Sequence, residues 1–269
     1  SDVQPLDAPW SQSSRDGISF AVGTYGMSTI EVTLGDELNQ RHNALITGAV
    51  GQGKSNLISV VVHSLCQRYS PSEVEFYMLD FKEGVTLQAF APDPHTGSFL
   101  PHARVLGLDA DREYGVNVLR HLFAIYRQRM ATFKAAGVQN IRQYRLADPE
   151  AVMPRIVVVI DEFQMLFADQ DTVATTASDL IIKGARLFRA CGIHFILASQ
   201  TIGSGGMLGG TTGQALFAQI PVRLALKNSL AESHATLGLK NDAASHIRSR
   251  EAIVNLDYGE LSSNRKTTI

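Results

Sequence analysis

Cysteine is scarce in this chain. Its 269 residues include two, Cys66 and Cys191, with no Cys-x-x-Cys spacing, so neither a disulfide framework nor a cysteine zinc site is legible and a reducing compartment is the expected setting. An excess of either charge is also missing, with 24 Lys and Arg against 26 Asp and Glu and a formal net charge of −2. That balance excludes a protein that grips nucleic acid by bulk charge, so any such contact must be local. Long apolar runs are absent: none approaches the roughly eighteen residues of a membrane helix, and the amino-terminal stretch lacks the basic start and apolar centre of a signal peptide. The chain is therefore expected to be cytoplasmic and to make no membrane contact, any tether lying in regions outside it. It opens on Ser1-Asp2-Val3-Gln4 without a methionine, which points to a piece of something longer.

What is present is enough apolar residue to build a sizeable core, 45% hydrophobic against 19% charged, in one large α/β domain or two small ones. Residues 1–17 are polar and without period and read as an irregular lead-in, leaving 18–269 as the domain. From Ile18 to Leu34 apolar and polar residues alternate around a glycine-containing turn, as in a small antiparallel hairpin ahead of the core. Beyond it come short continuous apolar runs: ALIT (44–47), VEFYMLDF (74–81), RVLGLD (104–109), RIVVVID (155–161), HFILAS (194–199), VRLAL (222–226) and EAIVNL (251–256). Runs of this kind mark parallel strands buried on both faces. Between the earlier ones lie stretches with apolar residues three and four apart. Strand and helix alternate, so the expected fold is a doubly wound, mainly parallel α/β sheet with helices on both faces.

Gly48-Ala49-Val50-Gly51-Gln52-Gly53-Lys54-Ser55 matches G-x-x-x-x-G-K-[ST] and sits between the run ALIT and a helix expected to begin at Asn56. Glycines allow the backbone to aim its N–H groups at phosphate oxygens, and the helix adds its positive end. Lys54 is expected on the β- and γ-phosphates of ATP, and Ser55 on Mg²⁺. Residues 48–56 form the expected nucleotide-binding set. The run 155–160 ends in Asp161-Glu162, two carboxylates at the carboxyl end of a very apolar strand, where open α/β sheets bind ligands. Asp161 is expected to join Ser55 on the metal shell, and Glu162 to polarise the attacking water. Gln200, just past HFILAS, is the candidate sensor of the γ-phosphate and that water. Arg186 and Arg189 lie three residues apart on one helical face.

With these elements in place the sequence resembles the FtsK/SpoIIIE family of RecA-like P-loop ATPases from about Ile18 to Asn255. HNALITGAVGQGKSN, EFYMLDFKEG, RIVVVIDEFQMLF, RACGIHFILASQ and IPVRLALK carry the resemblance. It implies a homo-oligomer, a hexameric ring with nucleotide between protomers, and double-stranded DNA as cargo; related type VII secretion ATPases move polypeptide instead. It also assigns Arg189 as an arginine finger supplied to the neighbouring subunit, with Arg186 as the runner-up. A scaffold that binds ATP and hardly turns over is the rival from another class. Two segments depart from the pattern. FADQDTVATTAS, after the acidic pair, lacks pore-facing lysines. TIGSGGMLGGTTG, after Gln200, is glycine-rich with no fixed structure expected, and its segment 203–213 has no assigned role. By contrast, the stretch from Tyr114 to Ala147 holds Arg120, Arg127, Arg129, Lys134, Arg142 and Arg145 with no acid, and reads as a nucleic-acid face, a solvated helical face or a subunit contact.

Overall fold

In chain order the elements are β1 (Ile18–Tyr25), β2 (Ser28–Leu34), β3 (Ala44–Thr47), α1 (Lys54–Arg68), β4 (Val74–Asp80), β5 (Ala103–Gly107), α2 (Arg112–Ala136), α3 (Ile141–Ala147), β6 (Arg155–Asp161), α4 (Thr172–Leu187), β7 (Ile193–Ser199), α5 (Thr211–Phe217), β8 (Val222–Leu226), α6 (Leu230–Leu237), α7 (Ala243–His246), β9 (Glu251–Asn255) and β10 (Arg265–Thr268). They come from a computed structural model that describes residues 8–82, 85–203 and 206–269. All ten strands join one sheet in the order β2-β1-β10-β9-β8-β3-β7-β6-β4-β5. From β8 to β5 the neighbours are parallel. The strand leading into the phosphate loop, β3, is separated from the acidic strand β6 by β7.

Strand alternation splits the core into two layers. Leu45, Tyr77, Leu79, Val158, Ile160 and Leu197 pack with α2, α4 and α5 on one face. Their sequence neighbours Ile46, Phe76, Met78, Val157, Val159 and Ala198 pack with α1 and the β1–β2 hairpin on the other. Asn43, just before β3, ties α4, β7 and the turn before β8 together: its amide donates to the carbonyls of Ala185 and Gln219, both at 3.0 Å, and its Oδ1 accepts from the Phe195 amide at 3.0 Å. Asn43→Ala leaves three buried backbone groups without this partner and should cost about 3 kcal/mol or more in urea unfolding.

Several expectations need correction. EAIVNL runs antiparallel to β8, and β10 and β1 continue antiparallel, so the hairpin extends the main sheet itself. A strand buried on both faces looks alike in either direction, so the run EAIVNL does not by itself carry its orientation. The edge strand β5 is only half buried. In the glycine-rich segment after Gln200, Ile202 and Leu208 are buried, 207–209 form a 3₁₀ turn and α5 begins at Thr211; residues 204 and 205 lie outside the described residues. The lead-in is docked along residues 8–17. The Trp10 Nε1–H donates to the Cys66 carbonyl at 2.8 Å, and the buried Ser14 hydroxyl meets Glu73.

Candidate nucleotide site

Side chains close the starts of α2, α3, α4 and α6: Asp111, Asn140, Asp171 and Ser229 each accept from a first-turn amide. Helix α1 differs. It starts at Lys54, two residues earlier than expected, behind Gly53, which offers no side chain to its amides. Gly53 has φ +108 and Gly51 φ +76, conformations that suit glycine, while a Cβ on Gly48 would come within 2.8 Å of Leu226. Loop residues 48–53 thus turn tightly over the end of β8, where the Ala49 amide donates to the Lys227 carbonyl at 3.1 Å. Val50 and Gly51 are exposed at the tip, as are Ser55 and Asn56 on the helix, whereas Gln52 keeps a buried, unpartnered Oε1.

Lys54 is buried and reaches both acids of the expected pair. Its Nζ donates to Asp161 Oδ1 at 2.5 Å and to Glu162 Oε1. Alternation along β6 puts Asp161 on the α1 face with Val157 and Val159, and would send residue 162 to the opposite face. Glu162 instead adopts φ 54, ψ 44, the left-handed region that a non-glycine residue seldom occupies, and its carboxylate comes back to Lys54. Gln164 Nε2 holds its other oxygen at 2.5 Å.

Gln200 follows β7 at the same end of the sheet. Its Oε1 lies 3.5 Å from Lys82 Nζ, and its carbonyl accepts from Asn228 Nδ2 at 3.1 Å. Two further residues arrive that motif spacing alone does not single out. Thr86 Oγ1 is 2.9 Å from Ser55 Oγ. Asp80 ends β4 directly beside Asp161 in register, fully buried, with Oδ2 unpartnered among the described residues. Burial, reinforced by the Asp161 charge, pushes the Asp80 carboxyl up to about 6. The signal is in the strand itself, an acid closing the apolar run VEFYML.

The nearby side-chain donors are hydroxyl and carboxylate oxygens. Among the described residues no group of three or more His, Cys, Asp and Glu is arranged to enclose a metal by itself. A hard cation held by one hydroxyl, one carboxylate, waters and phosphate oxygens fits that donor set. The two thiols are remote in character, Cys66 pushed up to about 12 and Cys191 to about 11 by burial.

Arg189 is elsewhere. It precedes β7, whereas Gln200 follows it, so the full length of a seven-residue strand, about 20 Å, separates them. Its Nε donates to the Arg186 carbonyl at 2.9 Å, and both arginines are exposed. Arg189 borders a cleft of about 500 Å³ shared with Gly35, His42, Asn140, Arg142 and Arg155. Arg155, fully buried, donates to the carbonyls of Ser14 and Arg15 and to His194 Nε2, which leaves His194 Nδ1 to donate to the His42 carbonyl. Burial, helped by Arg189, lowers His42 to about 4, so it adds no charge at neutral pH.

The basic stretch does not form one face. Arg129 is buried on the Cys191 carbonyl, Arg142 pairs with Asp16, and Arg145 binds Ser14 and Glu73. Arg120, Arg127 and Lys134 stay exposed, seven residues apart along α2. In the segment after Glu162, Asp169 and Asp171 both bind Arg112. Among the described residues no helix is long and apolar enough to cross a membrane.

Comparisons with known proteins bear on the fold and the family. The chain is 29% identical over 214 residues to the ESX-5 secretion system protein EccC5 of Mycobacterium tuberculosis, covering 77% of this chain and 14% of that protein. It is 28% identical over 271 residues to the DNA translocase FtsK of Oceanobacillus iheyensis, covering 97% of this chain and 32% of that protein. The chain thus spans at most about a third of the length of these two relatives. In fold it is similar to the cytoplasmic domain of the Thermomonospora curvata type VII secretion ATPase EccC, with a TM-score of 0.75 at 22% identity over 100% of this chain and 30% of that one. It is also similar to the pCW3 conjugation coupling protein TcpA, solved as a monomer with ATPγS, with a TM-score of 0.71 at 18% identity over 98% of this chain and 70% of that one. The model of the FtsK/SpoIIIE family matches residues 7–204, and the chain belongs to that family.

Proposed function

We propose that this chain is an ATP-hydrolysing motor domain that works as one subunit of a closed ring, six-membered as the family resemblance implies. The observation that carries the reading is the separation of its two half-sites. The phosphate loop, Asp161, Glu162 and Gln200 gather at the carboxyl end of the sheet, and Arg189 stands exposed at the amino end, farther away than an arginine side chain reaches. Copies arranged head to tail bring one end against the other, and a closing rotation makes a ring.

In this reading the loop amides and the start of α1 bind the phosphates of ATP. Phosphate competes with Asp161 and Glu162 for the Lys54 ammonium, and that exchange frees Glu162 to accept a proton from water. Gln200 orients that water by hydrogen bonding. Ser55 and Asp161 would hold Mg²⁺, which when bound neutralises charge on the transferred phosphoryl group. Arg189 of one subunit supplies the second cation to its neighbour's site. Specific ATPase activity should accordingly rise with protein concentration as rings form; activity independent of concentration down to the monomer would remove the ring from the reading.

The cargo reading is double-stranded DNA, supported by the exposed Arg120, Arg127 and Lys134 and by the FtsK relative. A polypeptide cargo is the second reading, favoured by the EccC5 relative and by the internal use of Arg129, Arg142 and Arg145. Duplex affinity should fall steeply with salt, and changing Arg120, Arg127 and Lys134 to Gln should flatten the log–log slope by about 0.9 for each phosphate no longer neutralised. A titration that detects no duplex binding at low salt with rings assembled selects the polypeptide.

A further inference from the structure

Asp80 has no part in the reading so far. The side chain is 0% exposed; Oδ1 accepts from the Lys82 amide at 2.9 Å and, among the described residues, Oδ2 has no partner. A buried carboxylate with an unsatisfied oxygen is expensive, the more so near two others that already share the Lys54 ammonium. Packing gives no reason for an acid here, since Phe76 and Met78, on the same face of β4, are apolar.

We propose that Asp80 is a second acidic anchor for the magnesium ion's water shell at the phosphate loop, acting beside Asp161. The proposal rests on the nucleotide reading above. Its support is the register: Asp80 and Asp161 are paired neighbours on parallel strands. Paired positions send their side chains to the same face, here the one covered by α1, whose first turn carries Ser55. Mg²⁺ keeps most of its waters, those waters donate hydrogen bonds, and an unpartnered buried carboxylate oxygen is an acceptor suited to them.

The test is the Mg²⁺ dependence of ATPγS binding by the whole chain, compared for the unaltered protein, Asp80→Asn and Asp161→Asn. Asp80→Asn should raise the Mg²⁺ concentration for half-maximal binding about tenfold. It should leave ATPγS binding in EDTA unchanged and raise the melting temperature, because an amide carries no buried charge. An unchanged Mg²⁺ requirement with a lowered melting temperature would mark a structural acid and overturn the proposal. Should the Asn variant fail to fold, Asp80→Ser gives the same readout. If Asp161→Asn shifts the requirement and neither Asp80 variant does, the proposal fails and the nucleotide reading stands. If no variant shifts it and Lys54→Ala still binds ATPγS, the nucleotide reading itself fails.

Discussion

Glu162→Gln should bind ATP at least as tightly as the unaltered chain and hydrolyse it about 10²–10⁴-fold more slowly, the range of a lost general base. The amide keeps an oxygen for Lys54 and a shape that fits the left-handed turn, so the phosphate loop is undisturbed while the proton acceptor is gone. Lys54→Ala acts at the other step. It removes the cation for the phosphates and should abolish binding, and it also leaves Asp161 and Glu162 buried without their shared partner, at a cost of about 3–5 kcal/mol in stability. Calorimetric titration with ATP, single-turnover hydrolysis and thermal melts separate the two. Undiminished hydrolysis by Glu162→Gln would take that residue out of the catalytic role.

Arg189→Ala should bind ATP normally and hydrolyse it about 10³-fold more slowly or worse, the effect of losing an arginine finger. Among the described residues the side chain bonds only a neighbouring carbonyl, through Nε, and it is exposed, so its removal should leave the fold intact. Mixing is the decisive experiment. Rings that combine Arg189→Ala with Lys54→Ala contain interfaces where an intact loop meets an intact arginine, and part of the activity should return although neither variant is active alone. Full activity of Arg189→Ala, or mixed rings that form and stay inactive, would pass the role to Arg186.

Local chemistry makes much of the site legible in the sequence. The loop 48–55 announces itself because only a few residue types let a backbone turn around phosphate, and Asp161-Glu162 stands out because acids at the end of RIVVVI have no place in a core. Asp80 closes its strand in the same way yet does not stand out, since a single acid after an apolar run has many ordinary explanations. Its meaning comes from the neighbour that the sheet gives it: Asp161, 81 residues later, is its register partner.

The sequence by itself determined the layered α/β fold, the phosphate loop and the acidic strand end, because hydrophobic period and turn chemistry act between residues close along the chain. The direction of β9, the joining of the hairpin to the main sheet and the inward use of Arg129, Arg142 and Arg145 were decided only in three dimensions, since buried strands of either direction share one pattern and a charge run does not say where its partners lie. Glu162 is the sharpest case. Alternation sends it away from Lys54, a left-handed backbone returns it, and that reversal is a property of the packed turn rather than of the residues Asp-Glu. The distance between Arg189 and its own phosphate loop belongs there too, because the length of β7 sets it, and it is on that distance that the proposal of a second subunit at the site rests.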